Sequence, residues 1–306
     1  RLLTLEGLSP EGHLRQLMPK APLHGSFWRP DLSFDAKRVL FCFKPHNEKA
    51  FHLYEINVDG TGLVQLTDGI YDDLDPIYLP SGKIMFASTR TQRVVFCLGT
   101  SVATLHVMDS DGKNLHSISE GPITEIDPSV MDDGRVIYMR WEYVDRHMML
   151  YHHLWTVNPD GTQVNTVWGN QSEWPDLLKD ARGIPGSRRI MFTGSAHHDW
   201  FAGSVGIIDP DGGLNFPHGL TKVTADTDWP ESGNGSPGEP VYALRLKLNP
   251  PPVADPVRLV ADGEEGLYRF GGSQVAAYVP RWWSPATVRY PADTPALPDL
   301  RLRVGR

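Results

Sequence analysis

The chain is 306 residues long, 40% hydrophobic and 10% aromatic, with a formal net charge of -8. That is enough apolar material for one large β domain or two smaller ones, and the acidic balance argues against a nucleic-acid backbone as partner. No apolar run is long enough to span a bilayer, and two cysteines, Cys42 and Cys97, do not make a disulfide framework.

In chain order, residues 2–17 read as strand, turn, strand, with Ser9-Pro10-Glu11-Gly12 as the turn. Trp28-Arg29-Pro30-Asp31 then opens a unit whose buried strand is RVLFCF, residues 38–43, with Cys42 in the core. Residues 53–67, LYEINVDGTGLVQLT, alternate in and out and fold back at Asp59-Gly60. The pattern recurs. Asp75-Pro76 opens a second cycle, with KIMFA at 83–87 and a turn at Asp109-Ser110-Asp111-Gly112. Asp127-Pro128 opens a third, with RVIYM at 135–139 and Asn158-Pro159-Asp160-Gly161. Trp174-Pro175-Asp176 is taken as the fourth opening, with RIMF at 189–192 and Asp209-Pro210-Asp211-Gly212. A weaker fifth runs from Trp229-Pro230-Glu231 to Ala261-Asp262-Gly263, and Trp283-Ser284-Pro285 begins a last, incomplete piece.

The turn glycines Gly12, Gly60, Gly112, Gly161, Gly212 and Gly263 lie about fifty residues apart, the spacing of propeller blades. Each unit has room for four short strands, and none shows a helical period. The expectation is an all-β fold: a single six-bladed β-propeller over residues 1–306, with four-stranded blades. Residues 1–249 carry the clear repeats, and 250–306 form a divergent last blade and closing strands. The chain starts with an outer hairpin and ends with an inner opening, so the N- and C-terminal strands are expected to close the ring. The Asp-Pro openings read as strand entries whose carboxylates accept backbone N–H bonds, and the Asp-Gly corners as turns rather than calcium loops.

Chemistry is sought where repeats diverge. Three stretches do so: RVVFCLGTSVAT at 93–104, RWEYVDRHMMLYHH at 140–153 and TGSAHHDW at 193–200. Each follows the buried strand of its unit, so all three leave the ring on one face. Histidines 147, 152, 153, 197 and 198 can converge there with Glu142, Asp145 and Asp199, a donor set suited to a transition metal or to acid–base work. The alternative is His pairs on a strand, one ring on each face, bonded to backbone. Cys97 reads as a small buried thiol unless it faces that site. The chain has no C-x-x-C-H, so it binds no haem covalently, and no C-x-x-C, G-x-S-x-G, phosphate loop or H-E-x-x-H. Catalytic residues cannot be named. With no charged-then-apolar leader at Arg1, any export signal is expected to have been removed or never included.

These stretches carry a family likeness. The units resemble the WD-like, Pro-Asp-type repeats of TolB-like propellers. DLSFDAKRVLF, KIMFASTR, DPSVMDDGRVIYMRWEYVDR, YHHLWTVNPDGT and RGIPGSRRIMFTGSAHH are more narrowly similar to the propeller of hydrazine synthase alpha subunit-like proteins of planctomycete-type bacteria. The likeness runs from about Leu14 to about Ser232, is most specific in RWEYVDR and IPGS, and fades in the tail. It implies the propeller of a larger exported, periplasmic protein that packs on domains or subunits carrying haem, with a metal site near that junction. On this reading haem lies only in a neighbouring domain. The metal candidates are Cys97, His147, His152, His197 and His198. Three functions follow: a docking scaffold of a haem- or redox-associated protein, not catalytic alone; a TolB-like protein- or peptide-binding module; or a metal-dependent lyase or hydrolase using the histidine loops.

Overall fold

In a computed structural model, the described residues are 2–6, 12–18, 23–96, 99–119, 121, 123–144, 146–197 and 203–224; beyond these, only five short strands are described. A hairpin of β1 (Leu3–Glu6) and β2 (His13–Gln16) comes first, its leucines largely exposed. The first blade is β3 (Gly25–Leu32), β4 (Arg38–Pro45), β5 (His52–Asn57) and β6 (Val64–Gln65). The second is β7 (Asp73–Tyr78), β8 (Ile84–Ser88), β9 (Thr104–Met108) and β10 (His116–Ser117). The third is β11 (Glu125–Val130), β12 (Val136–Trp141), β13 (His152–Val157) and β14 (Asn165–Thr166). The fourth is β15 (Leu177–Gly183), β16 (Ile190–Ser195), β17 (Gly203–Ile208) and β18 (Leu220–Lys222). Within every blade, neighbouring strands pair antiparallel. Among the described residues there is no α-helix.

The second strands of the first three blades read as apolar runs because both of their faces are covered, whereas β16 leaves Met191 exposed. Leu40, Cys42 and Leu53 of the first blade pack on Tyr78, Ile84, Phe86 and Met108 of the second. Met85, Leu105 and Val107 of the second pack on Val136, Tyr138 and Val157 of the third. Ile137, Leu154 and Trp168 then meet Leu178, Ile190, Phe192 and Ile208. Each such side chain contributes about 1.5–3 kcal/mol when fully buried. The repeat is thus stabilised mostly between blades, as a radial array requires. Burial pushes the Cys42 thiol well above its usual range, which fits a core thiol.

The innermost strands β3, β7, β11 and β15 pack in sequence around the axis. Each carries a bulge at one equivalent point. Arg29-Pro30, Asp75-Pro76, Asp127-Pro128 and Asp180-Ala181 each put two residues opposite one on the second strand. The first residue of each pair has positive φ: 44° at Arg29, 49° at Asp75, 56° at Asp127 and 54° at Asp180. This corrects the fourth opening. Trp174-Pro175-Asp176 copies the letters of the first, but the ladder pairs Lys179 with Thr193 and Arg182 with Met191, so the bulge falls on Asp180.

The Asp-Gly corners also do one job repeatedly. Gly60, Gly112 and Gly161 sit at φ of 87°, 82° and 87°, each turn resting against the outer strand of the preceding unit. A Cβ there would lie 1.9 Å from the Leu17 carbonyl oxygen, 2.5 Å from that of Leu66 and 2.5 Å from that of Ile118. Leu17, at the end of the first hairpin, therefore stands where a preceding blade would. The corner aspartates cap their own turns: Asp59 accepts from the Thr61 N–H at 2.9 Å and Asp160 from the Thr162 N–H at 3.0 Å.

Among the described residues, no strand of the chain's C-terminal part pairs with β1 or β2, so the expected closure by the chain ends is not seen there. β1 pairs with β2 alone. In the C-terminal stretch, β19 (Val257–Arg258), β20 (Leu267–Arg269), β21 (Ala276–Tyr278), β22 (Thr287–Val288) and β23 (Arg303–Gly305) pair with one another: β19 with β22, and β20 with β21 and β23.

Candidate functional site

The loops after β8, β12 and β16 do meet, and an aromatic side chain organises them. Trp141 ends β12, buried, with its indole N–H donating to the Met148 carbonyl at 2.7 Å. That bond holds the 142–151 loop against the end of the sheet. Across the ladder, Trp141 faces His152, and the two rings stack at 5.0 Å and 15°. His197, just past β16, lies 5.0 Å from the same indole. The two imidazoles touch: His197 Nδ1 is 2.9 Å from His152 Nε2, so one carries the hydrogen and the other accepts it. On its outer side Trp141 stacks with Tyr143 at 5.3 Å and 3°, and Tyr143 meets Phe96 of the second blade at 5.7 Å. Phe96 is 71% exposed, and Val94 and Val144 beside it are also exposed. The result is a chain of rings from solvent to a histidine pair, drawn from three blades.

The expected histidines divide as follows. His152 and His197 come together. His153 alternates to the other face of β13, fully buried, edge-on to Tyr151 at 5.5 Å. Burial, reinforced by the nearby Arg146 guanidinium, pushes its pKa down to about 3, so it is neutral. His147 is exposed and turns to its own loop, its Nδ1 accepting the Met149 N–H at 3.3 Å. Glu142 pairs with Arg146 at 3.3 Å. Cys97, Asp145, His198 and Asp199 lie outside the described residues. Among the described residues, no three His, Cys, Asp or Glu side chains form a metal-ligand set.

A second constellation, at the axis, was not read from the sequence. Arg29 takes the bulge position that holds aspartate in the next three blades, and its guanidinium reaches all three. It lies 2.5 Å from Asp127 and 3.5 Å from Asp75, and pairs with Asp180. Its signal was available: one basic residue at a repeat position otherwise acidic. The acid–proline reading was right about backbone capture. Asp31 accepts from the Tyr78 N–H at 2.9 Å and Asp75 from the Asp127 N–H at 3.2 Å, each tying one blade to the next.

Further out, a cleft of about 350 Å³ between the second and third blades is lined by Leu105, Ser119, Glu125, Tyr138 and Arg140. Burial raises the Glu125 carboxyl, opposed by the Ser119 hydroxyl and by Arg140 at 3.4 Å. The second blade repeats this arrangement, where Arg90 holds buried Asp73 through Nε at 3.1 Å and Nη2 at 2.7 Å. The repetition marks Glu125–Arg140 as a blade-level clamp.

No protein-family model matches the chain, and no curated protein matches it. Among solved structures, hydrazine synthase from Kuenenia stuttgartiensis is similar over 71% of this chain, at 18% identity and a TM-score of 0.59. TolB from Acinetobacter baumannii is 14% identical over 68% of the chain, with a TM-score of 0.47 and 45% of that protein covered. The putative TolB from Agrobacterium tumefaciens is 20% identical over 51% of the chain and 51% of its own, with a TM-score of 0.39. The fold is a β-propeller. At this identity the likeness to hydrazine synthase concerns the fold, and the chain spans 34% of that protein's length. Among the described residues no helix is long and apolar enough to cross a membrane.

Proposed function

We propose that the chain is a propeller docking scaffold whose partner seats on the rim where the loops after β8, β12 and β16 meet. The observation that carries this is the continuous ring stack from exposed Phe96 through Tyr143 and Trp141 to His152 and His197. Aromatic side chains that are rigidly held and partly exposed are the usual anchors of interfaces. In its finer form, the partner is a haem- or redox-associated domain of the same exported protein, and this region has no activity alone. That form rests on the family resemblance, as does a ring of six blades. Insertion of a peptide along the axis is less well supported, because Arg29 crosses it.

The test is hydrogen exchange on the full reading frame and on this chain alone. Docking requires slower exchange at 94–96 and 141–144 in the longer protein, and Phe96→Asp must abolish the difference. Equal exchange in the two proteins rejects the scaffold. A C-x-x-C-H motif in the same frame supports the haem-associated form, and its absence removes that form.

The His152–His197 contact favours a second reading, a transition metal held for lyase or hydrolase chemistry. Bonds of about 2.0–2.1 Å to a tetrahedral zinc place two nitrogens roughly 3.3 Å apart, close to the observed separation. Stoichiometric zinc retained by the purified chain and lost in His197→Ala supports it; a wild-type chain that retains none rejects it.

A further inference from the structure

Three carboxylates and one guanidinium converge at the axis, and the hydrogen bonds are divided unequally among them. Asp180 is the most open of the three, at 27% side-chain exposure, and is served by Arg29 and by Lys179 at 3.3 Å. Asp75 receives the Trp28 indole N–H at 2.8 Å and the Asp127 backbone N–H at 3.2 Å, and forms an ion pair, without a hydrogen bond, with Arg29 at 3.5 Å. Asp127, with 4% side-chain exposure, receives Arg29 alone among the described residues. Its own backbone N–H points to the Asp75 carboxylate, which sets the two acids side by side.

The surrounding charges do not change that balance. From β3 come Arg29 and Asp31, the latter committed to the Tyr78 N–H. From β7 comes Asp75. From β15 come Lys179, Asp180 and Arg182, the last of which acts on Asp31. β12, the ladder partner of β11, supplies Arg140, which is turned to Glu125. Two buried acids beside one shared cation do not both ionise readily, and the proton settles on the acid with fewer donors and less water.

We infer that this cluster is a proton-responsive clasp: Asp127 carries a proton while the inner strands of four blades close around Arg29, and loss of that proton loosens them. The direction of the Asp127 shift agrees: burial first, then Asp75, raises it to about 7 against the pull of Arg29. The unfolded chain holds this proton only below about 3.9. Between that value and about 7 the native state binds more protons, so the stability contributed by the site is complete in acid and is lost as pH rises through neutrality.

The experiment compares wild type with Asp127→Asn, which keeps the shape and neutrality of the protonated acid. Relative to Asp127→Asn, wild type is expected to lose up to about tenfold in its folding equilibrium constant per pH unit between about pH 5 and about pH 7, a difference in which the His153 contribution, common to both proteins, cancels. Asp127→Asn should then be at least as stable as wild type above neutrality. Parallel profiles, or a variant less stable than wild type at alkaline pH, overturn the clasp. If the variant does not fold, the infrared carbonyl stretch of a protonated carboxylic acid in wild type decides. It must be present in mild acid and vanish on titration through neutrality, and its absence at all pH values also overturns the proposal.

Discussion

Gly112→Ala measures how much the ring depends on each corner fitting against its neighbour. Gly112 has φ of 82°, and Gly134, in the turn between β11 and β12, has φ of 84°. Both substitutions therefore pay the same backbone strain, about 1–2 kcal/mol for an alanine in the left-handed region. They differ in surroundings. A Cβ at Gly134 meets nothing within 4 Å, whereas at Gly112 it lies 2.5 Å from the Leu66 carbonyl oxygen. Ordinary contact needs nearly 1 Å more, so the corner must lift off the first blade. Overpacking of that size costs about 1–3 kcal/mol. Gly112→Ala is expected to be about 1–3 kcal/mol less stable than Gly134→Ala, or roughly 2–6 °C in Tm at about 2 °C per kcal/mol. Scanning calorimetry on both variants and wild type gives the answer. Equal Tm values for the two variants would refute the claim that the corner glycines exist for blade-to-blade contact.

Trp141→Ala removes the ring that both histidines rest on; it should cost about 3–5 kcal/mol in denaturant unfolding and weaken the near-ultraviolet circular dichroism. His153 is neutral in the native state and ordinary in the unfolded one, so native protein binds fewer protons between about pH 6.5 and about pH 3. Stability is then lost as pH falls through that window, by up to about 1.4 kcal/mol per unit, and His153→Phe should flatten the acid limb of a urea-midpoint profile. Asp73→Ala strands the partly buried Arg90, and a loss of about 3–5 kcal/mol is expected in the same assay. A loss below about 1 kcal/mol would show that water replaces the carboxylate there.

The strands of the first four blades were legible because their signals are local. RVLFCF, KIMFA and RVIYM are apolar runs of strand length, and the first three Asp-Gly corners each place a glycine at positive φ, whereas in the fourth it is Gly213, one residue on, that does so. The rim was half legible: the departure of RWEYVDRHMMLYHH from the repeat marked a site, and His152 and His197 do meet. His153 and His147 were grouped with them by proximity in the chain. A strand sends adjacent residues to opposite faces, and a loop can turn a side chain back on itself, so sequence neighbours part company.

The amino-acid order alone determined the period, the four-strand unit and the class of fold, since these follow from alternation and turn chemistry within a few residues. Tertiary structure decided the rest. It set the fourth bulge at Asp180 by ladder pairing and gathered Arg29 with three aspartates spread over about 150 residues. Those outcomes depend on which distant groups compete for the same space and the same proton, and no local pattern records that competition.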